Sequence, residues 1–213
     1  MYLPQHFEEA RRDELRRLIE HYPFGAFVIN GPNGLDANHL PFEFDAEGDG
    51  PGRLLAHVAR ANPVWQDVKD GDEVLVIFRA GDAYISPNWY PSKHETHRQV
   101  PTWNYRVVHV HGKVRVCDDE KFVRGVVGRL TRTHEARAGE AKPWKMADSD
   151  KDYIDGMLAA IVGIEVEIAR IVGKSKLGQN KDARDRVGAA QRLQGLGETE
   201  ISAAMLSVPV REA

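Results

Sequence analysis

The hydrophobic positions of this 213-residue chain follow a helical period first and a strand period afterwards. Between residues 7 and 22, apolar side chains recur at spacings of three and four among charges, which predicts an amphipathic helix that ends before Pro23. From there to about residue 118, short β-branched or aromatic runs alternate with Gly, Pro, Asn and Asp. Strands are expected in the runs GAFVIN, NHLPFEFD, RLLAHVA, EVLVIFRA, DAYISPNWY and NYRVVHVHGKVRVC. Six strands at this spacing predict a barrel or a sandwich.

The last of these runs alternates most regularly. Its valines, from Val108 to Val116, share one face, and the histidine, lysine and arginine side chains between them share the other. This pattern is typical of an antiparallel strand with one solvated face, so we expect the valines to point into the barrel. A seventh strand, which would close the sheet, is expected at 163–173, where aliphatic residues alternate with two glutamates. The acidic, glycine-rich segment 46–52 predicts a hairpin loop.

Helices are expected outside the strands. Asp118, Asp119 and Glu120 begin one of them, because acidic side chains at a helix N-terminus interact favourably with the helix dipole. Further helices are expected at residues 150–161, 183–193 and 200–206. The patterns therefore predict a mostly β (α+β) fold with peripheral helices. We expect a main domain at 1–181 and a C-terminal helical appendage at 182–213.

Composition and charge exclude several classes of protein. The chain is 42% hydrophobic and 29% charged, and its formal net charge of -3 lacks the basic excess of a protein that binds DNA mainly through phosphates. Cys117 is the single cysteine, so no internal disulfide can form and a reducing cytoplasm is expected. The N-terminus is charged where a signal peptide would be apolar, and the longest apolar run, Met157 to Ile164, is too short to span a bilayer. We expect a cytoplasmic protein with no membrane role.

A first candidate for ligand chemistry is HVARANP, from His57 to Pro63. A strand ends here and a short helix is expected to begin near Pro63, which would place Arg60 and Asn62 beside free backbone N–H groups. An arginine fork and a helix N-terminus together favour a phosphate group. The alternative is a solvated arginine at an Asn-Pro turn, which is the more common case for such a string.

Two further segments are compatible with a flat, polar ligand. Aromatic side chains are concentrated in Tyr84–Tyr90 and Pro101–Tyr105, although core or dimer packing is the more frequent role of such residues. Residues 174–192 carry six basic and two acidic side chains, a local charge of +4. Lys176 and Gln179 in this stretch can bond a phosphate or a ring carbonyl, and a solvated, charged helix start is the alternative.

Other kinds of site are not supported by the sequence. The histidines of HETH at 94–97, and His109 with His111, match no zinc-binding spacing, and we predict no metal site. Motifs for a serine nucleophile, a P-loop or a Rossmann dinucleotide fold are missing. The helix pair predicted around QGLGE is compatible with a helix-turn-helix. However, residues 182–213 carry four basic and five acidic side chains, and the second helix has no Lys or Arg, so direct DNA recognition is not favoured.

Several long motifs occur together and in a characteristic order. From Met1 to about Leu193, the chain resembles the PaiB-like family of FMN-binding negative transcriptional regulators, through the motifs MYLPQHF, NHLPF, HVARANPVW, YISPNWY, VPTWNY and KLGQN. The resemblance implies a split β-barrel like that of pyridoxamine phosphate oxidases and flavin reductases. It also implies a homodimer that binds FMN at the subunit interface.

The resemblance assigns cofactor-binding roles to particular residues. It implies that His57, Arg60 and Asn62 hold the FMN phosphate and that His39 and Leu40 line the isoalloxazine ring. The residues expected to complete the pocket are Ser86, Trp103, Asn104, Lys176 and Gln179. Gly178 and Asn88 depart from the family pattern, which has serine at both positions.

The sequence leaves the activity open between two hypotheses. The first is a flavin-dependent redox protein, with or without enzymatic turnover, or a redox-responsive negative regulator. Because a flavin brings its own redox chemistry, no dedicated acid, base or nucleophile need be visible in the sequence. The alternative is a barrel without flavin that acts through DNA or protein contacts, and a barrel that handles haem is more remote.

Overall fold

The computed structural model describes residues 1–46 and 50–208, and within them the main element is an antiparallel sheet of eight strands. The strands are β1 (Glu8–Glu9), β2 (Phe24–Gly31), β3 (Gly34–Pro41), β4 (Glu43–Asp45), β5 (Arg53–Ala59), β6 (Glu73–Ile85), β7 (Thr102–Cys117) and β8 (Ile161–Lys176). Their order is β3-β2-β6-β7-β8-β5-β4, and β1 also pairs with β8. The predicted mostly β architecture is confirmed, and the seventh predicted strand is β8, which lies between β7 and β5 in the sheet order.

Helices connect or follow the strands. They are α1 (Arg12–His21), α2 (Val64–Asp67), α3 (Pro91–Thr96), α4 (Glu120–Ala138), α5 (Lys151–Ala159), α6 (Ala183–Gly195) and α7 (Thr199–Ser207). The carboxylate of Asp119 caps α4 by accepting the N–H of Phe122 at 2.8 Å, as expected for an acidic N-cap. No helix in the described ranges is long and apolar enough to cross a membrane.

Several predicted element boundaries are wrong. The first helix begins at Arg12 rather than residue 7, because residues 5–7 form a 3-10 turn and Glu8 pairs with Lys174 in the sheet. The runs 73–80 and 82–90, which were expected to be separate strands, form the single strand β6 followed by a 3-10 turn at Pro87–Trp89. Gly81 lies inside that strand at φ 86°, a conformation that glycine adopts without strain, so the chain need not break there.

The hairpin loop predicted at 46–52 contains residues 47–49, which lie outside the described residues. The strands on either side of it, β4 and β5, pair in antiparallel register, with Asp45 opposite Arg53. NHLPFEFD was expected to be one strand, but Phe42 separates β3 from β4.

The long strand β7 shows the expected two-faced pattern. Val108, Val110 and Val114 are at most 1% exposed, whereas Val116 is partly exposed. On the other face, His109 is half-buried and Lys113 is exposed. The alternation of the sequence therefore predicts the buried face of this strand correctly.

The chain divides into two compact units. One contains residues 1–15, 79–108 and those from 172 onward, and the other contains 16–78 and 109–171. The predicted boundary after residue 181 falls inside the first unit. There, α6 and α7 share a hydrophobic core with strand and loop residues, namely Ala83, Ile85, Tyr90, Leu177, Ala189, Ala190, Leu193, Ile201, Ala204 and Met205.

The second unit combines apolar packing with an ion-pair network around two buried carboxylates. Helix α4 packs Val126 and Leu130 against Leu55 of β5. The carboxylates that lie beside this helix, those of Asp45 and Glu165, are only 5% and 8% exposed. Arg53 joins them, at 2.8 Å and 3.1 Å, and Arg129 and Arg115 each add a second guanidinium. Buried carboxylates need such partners, because an isolated buried charge is strongly unfavourable.

Among the described glycines of this unit, Gly112 on β7 leaves the least room for a side chain, because β8 lies against it. A Cβ atom at position 112 would lie 2.3 Å from the carbonyl oxygen of Glu167 and 2.7 Å from Cγ1 of Val166. The backbone oxygen cannot move away as a flexible side chain would, so only glycine fits without displacing a strand.

We expect Gly112→Ala to destabilise the protein by about 1–3 kcal/mol or more, the usual cost of overpacking a filled interior. Urea denaturation measures the change in the free energy of unfolding. Gly125→Ala is the matched control, because no atom lies within 4 Å of a Cβ there and alanine favours a helix over glycine. A Gly112→Ala protein that unfolds with the wild-type midpoint would contradict the close approach.

Candidate functional site

The ten residues expected to bind the cofactor fall into two groups of five, one in each compact unit. The first group lies on β3, on β5 and in the turn after β5, and consists of His39, Leu40, His57, Arg60 and Asn62. The second group lies on β7, at the end of β8 and in the loops that follow β6 and β8, and consists of Ser86, Trp103, Asn104, Lys176 and Gln179.

Asn62 organises the turn after β5. Its Oδ1 accepts the N–H of Val64 at 3.0 Å, and its Nδ2 donates to Oδ1 of Asn38 at 2.8 Å. The amide therefore connects this turn to β3, next to His39. The expectation of a free N–H at the helix start is wrong for Val64, because the side chain of Asn62 itself satisfies it. The helix that follows, α2, has only four residues.

Arg60 is fully engaged by its own unit. Its Nη1 and Nη2 donate to the carboxylate of Asp118 at 2.8 and 2.6 Å, and its Nε donates to the carbonyl of Ala159 at 2.8 Å. The hydrogen bonds from Arg60 lower the pKa of Asp118. The side chain is nevertheless 40% exposed. An anion can therefore reach the guanidinium, but it must compete with Asp118.

His57 of this group is half-buried. Its Nδ1 is buried and has no hydrogen-bond partner among the described residues. Burial lowers the pKa of the imidazole, so the ring is neutral near pH 7. On β3, Leu40 is buried, whereas His39 is exposed and stacks on Phe24 with ring centroids 6.1 Å apart.

Asn104 is the deepest polar residue of the second group, with 1% exposure. Its Nδ2 donates to Sδ of Met205 at 3.3 Å, a weak acceptor, and its Oδ1 has no partner in the described chain. The loop after β8 approaches it: a Cβ at Gly178 would lie 3.8 Å from Nδ2 of Asn104. Gly178 has φ 84°, so the residue that replaces the family's serine suits a left-handed turn.

Gln179 folds back on its own loop. Its Oε1 accepts the N–H of Leu177 at 2.7 Å, and its Nε2 donates to the carbonyl of Ser175 at 2.5 Å. The amide therefore shapes the loop, and its hydrogen bonds are already made within it.

Three lysines of the first unit lie close together in sequence: Lys174 and Lys176 at the end of β8, and Lys181 in the loop after it. Lys176 donates to Oγ1 of Thr102, and burial, followed by the nearby Lys174 and Lys181, lowers its pKa. Lys174 is 8% exposed and lies near the Tyr105 ring, 5.3 Å from its centroid. No carboxylate of the described residues forms an ion pair with any of the three. Sequence reasoning identified Lys176 alone, although the local charge of +4 already indicated the others.

The remaining expected residues lie closer to the surface. Ser86 caps a 3-10 turn, with its Oγ accepting the N–H of Asn88 at 3.2 Å. Trp103 is 54% exposed and meets Tyr84, itself 46% exposed, edge to face at 6.0 Å. Cys117 is buried, and burial raises its pKa to about 11, so its thiol is protonated at neutral pH.

The residues present fit a flavin. Buried polar atoms almost always have a hydrogen-bond partner, yet Nδ1 of His57 and Oδ1 of Asn104 have none in the described chain. Lysines without carboxylate partners suit a phosphate, and exposed aromatic rings suit a flat heterocycle. Both groups thus offer donors and acceptors of the kind that FMN needs.

Residues 1–170 match the family described as "Putative FMN-binding domain", and the chain belongs to this family. The chain is 28% identical to the Bacillus subtilis "Protease synthase and sporulation protein PAI 2" over 194 residues, which cover 91% of this chain and 89% of that protein. It is also 31% identical to an uncharacterized Aspergillus fumigatus protein, with 94% of this chain and 93% of the relative covered. The PaiB-like resemblance is thereby confirmed.

Solved structures confirm the split β-barrel fold. The FAD and heme binding protein from Mycobacterium smegmatis superposes with a TM-score of 0.56 at 18% identity, covering 85% of this chain and 79% of that one. The flavocytochrome Anf3 from Azotobacter vinelandii gives a TM-score of 0.54 at 14% identity, with 83% and 73% covered. At these identities the likeness concerns the fold alone.

The lowered pKa of His57 predicts a pH dependence of stability. As the pH falls, the unfolded chain takes up a proton on His57 before the folded protein does. The stabilisation is therefore complete above the unfolded pKa of about 6.5 and is lost as the pH falls through the folded pKa. We expect the free energy of unfolding to fall more between about pH 7 and pH 5 in the wild type than in His57→Gln, as measured by urea denaturation. Parallel pH profiles would show that His57 is not buried in its neutral form.

Proposed function

We propose that this chain binds FMN and functions as a flavin-dependent redox protein. The observation that carries the proposal is the family match over residues 1–170, which contains eight of the ten expected binding residues. Support also comes from the buried atoms of His57 and Asn104 that have no partner among the described residues, and from Arg60, three residues after His57. When bound, a flavin supplies one- and two-electron redox chemistry, while the protein supplies binding and orientation.

The chain's own residues would divide the work of binding. In this proposal, Arg60 binds the phosphate through its exposed edge, with His57 and Asn62 beside it, and Leu40 presents an apolar contact to the ring. Asn104 offers a buried acceptor to a ring N–H group. Lys176, whose pKa is lowered by burial, holds a proton less tightly than an ordinary lysine and donates to an anionic or carbonyl oxygen.

The phosphate role of Arg60 can be tested directly. We expect Arg60→Ala to weaken FMN binding by about tenfold to a hundredfold, the range for loss of a charge-assisted hydrogen bond. Quenching of flavin fluorescence measures the affinity, and an absorption spectrum after incubation with FMN and desalting shows retention.

Arg184→Ala is the matched control for this experiment. Arg184 forms a bidentate pair with Glu95, with both contacts at 2.6 Å, so its removal also breaks an exposed ion pair. Asp118→Asn retains Arg60 but removes the competing charge, and FMN should bind it at least as tightly as the wild type. Equal affinity of Arg60→Ala and the wild type would remove Arg60 from the phosphate site. If the wild type retained no flavin at all, the redox proposal itself would fail.

We also propose that the protein forms a homodimer with flavin at the subunit interface. A contact surface for the second subunit is supported in the first unit by three exposed apolar side chains. They are Tyr84, Trp103 and Val100, the last of which is 69% exposed. Exposed aromatic groups of this kind are enriched in protein interfaces.

We expect Tyr84→Arg to weaken the dimer, because a charge would replace an aromatic contact. Sedimentation should show the wild type at about twice the 23.9 kDa chain mass and a shift toward the monomer in the variant. Met157→Arg, on the exposed face of α5, is the control and should sediment as the wild type does. A wild type that remains monomeric at micromolar concentration would contradict the dimer.

A regulatory role would be indirect under this proposal. Helix α7 carries no Lys or Arg, while in α6 Arg184 is paired with Glu95 and Arg186 is 5% exposed. These helices therefore present few basic groups to DNA phosphates. A DNA affinity that falls steeply with salt would favour the alternative, a barrel that acts through DNA contacts without flavin.

A further inference from the structure

A groove in the second unit lies outside the residues discussed so far. It has a volume of about 420 Å³ and runs between α4 and the segment 143–146. This volume falls in the range of small-molecule pockets. None of the ten expected flavin residues lines it.

The floor and walls of the groove are apolar. Trp144, 40% exposed, and Met146 come from the segment, and Gly128 comes from α4. A Cβ at Gly128 would lie 3.4 Å from the terminal methyl of Met146. Because glycine carries no side chain, the end of Met146 can pack close to α4 at this position, and no side chain from position 128 enters the groove.

The segment is held against the helix by a polar contact. The carboxylate of Glu135 accepts the backbone N–H of Trp144 at 2.9 Å. The backbone N–H of Lys145 in turn donates to the carboxylate of Asp148 at 3.0 Å. These bonds fix the backbone that carries the indole.

The rim of the groove carries positive charge. Arg132 and Lys145 both line it and are exposed, and within the described ranges neither side chain forms an ion pair with a carboxylate. The single acidic lining residue is Glu135, which already accepts the N–H of Trp144. The charge and the aromatic wall together favour an anion attached to a flat ring.

We propose that this groove binds a small aromatic carboxylate. The ring lies against Trp144 and Met146 beside Gly128, and the carboxylate faces Arg132 and Lys145. Such a site is separate from flavin binding and would let a small molecule act on the protein through α4.

Isothermal titration with 2-naphthoate, on the full chain loaded with FMN, tests the proposal. We expect saturable binding that Gly128→Leu abolishes, because the leucine side chain fills the groove. Gly156→Leu on α5 is the matched control, since a Cβ at this helical glycine meets no atom within 4 Å, and it should bind as the wild type does. Trp144→Ala provides a second variant that removes the aromatic wall without adding volume.

The charge is tested separately from the shape. Arg132→Gln combined with Lys145→Gln should weaken 2-naphthoate binding by about fivefold to tenfold, and the neutral amide of the same ring should bind the wild type correspondingly less well. Retained FMN absorption and an unchanged thermal transition show that each variant is folded. Three outcomes would each overturn the proposal. They are no binding of 2-naphthoate to the wild type at about 1 mM, unaltered binding by both Gly128→Leu and Trp144→Ala, and equal affinity of the wild type for the acid and the amide.

Discussion

The closeness of β7 and β8 at Gly112 is the constraint on which the second unit depends. With no side chain at this position, the backbone of β8 can lie against β7, and Val162, Ile164 and Val166 of β8 are fully buried. Strand alternation then sends Glu165 to the opposite face, where Arg53 and Arg115 neutralise it. The apolar interior and the ion-pair network beside α4 thus follow from one register, which a side chain at 112 would disturb.

The strands were predictable where buried and exposed residues alternate over a long stretch of the chain. Alternation over 108–116 identifies the buried face of β7, and a capping aspartate with apolar repeats identifies α4. The N-terminal boundary was not predictable in this way, because Glu8 and Glu9 have weak strand propensity and are ordered by pairing with β8, more than 160 residues away. A glycine is also ambiguous in sequence: Gly81 marked a break, but the strand continues through it.

The sequence predicts which residue types make up the candidate site. It does not predict which of their polar groups already have hydrogen-bond partners within the protein. The motifs identify Arg60, Asn62 and Gln179 as polar groups suited to a flavin, yet each already has intramolecular partners. Asp118, which binds Arg60, lies 58 residues away in the chain, and no local pattern connects them. Oδ1 of Asn104, in contrast, is buried and has no hydrogen-bond partner among the described residues. This can be recognised only from the structure, because it depends on how the strand and the loop after β8 pack together.

The pair between Arg60 and Asp118 adjoins the start of α4, because the next residue, Asp119, caps that helix. An anion that binds the exposed edge of the guanidinium competes with the carboxylate of Asp118, whose pKa Arg60 keeps low. Binding at the end of β5 would therefore change the electrostatic surroundings of Asp118, which lies one residue before the N-cap of α4.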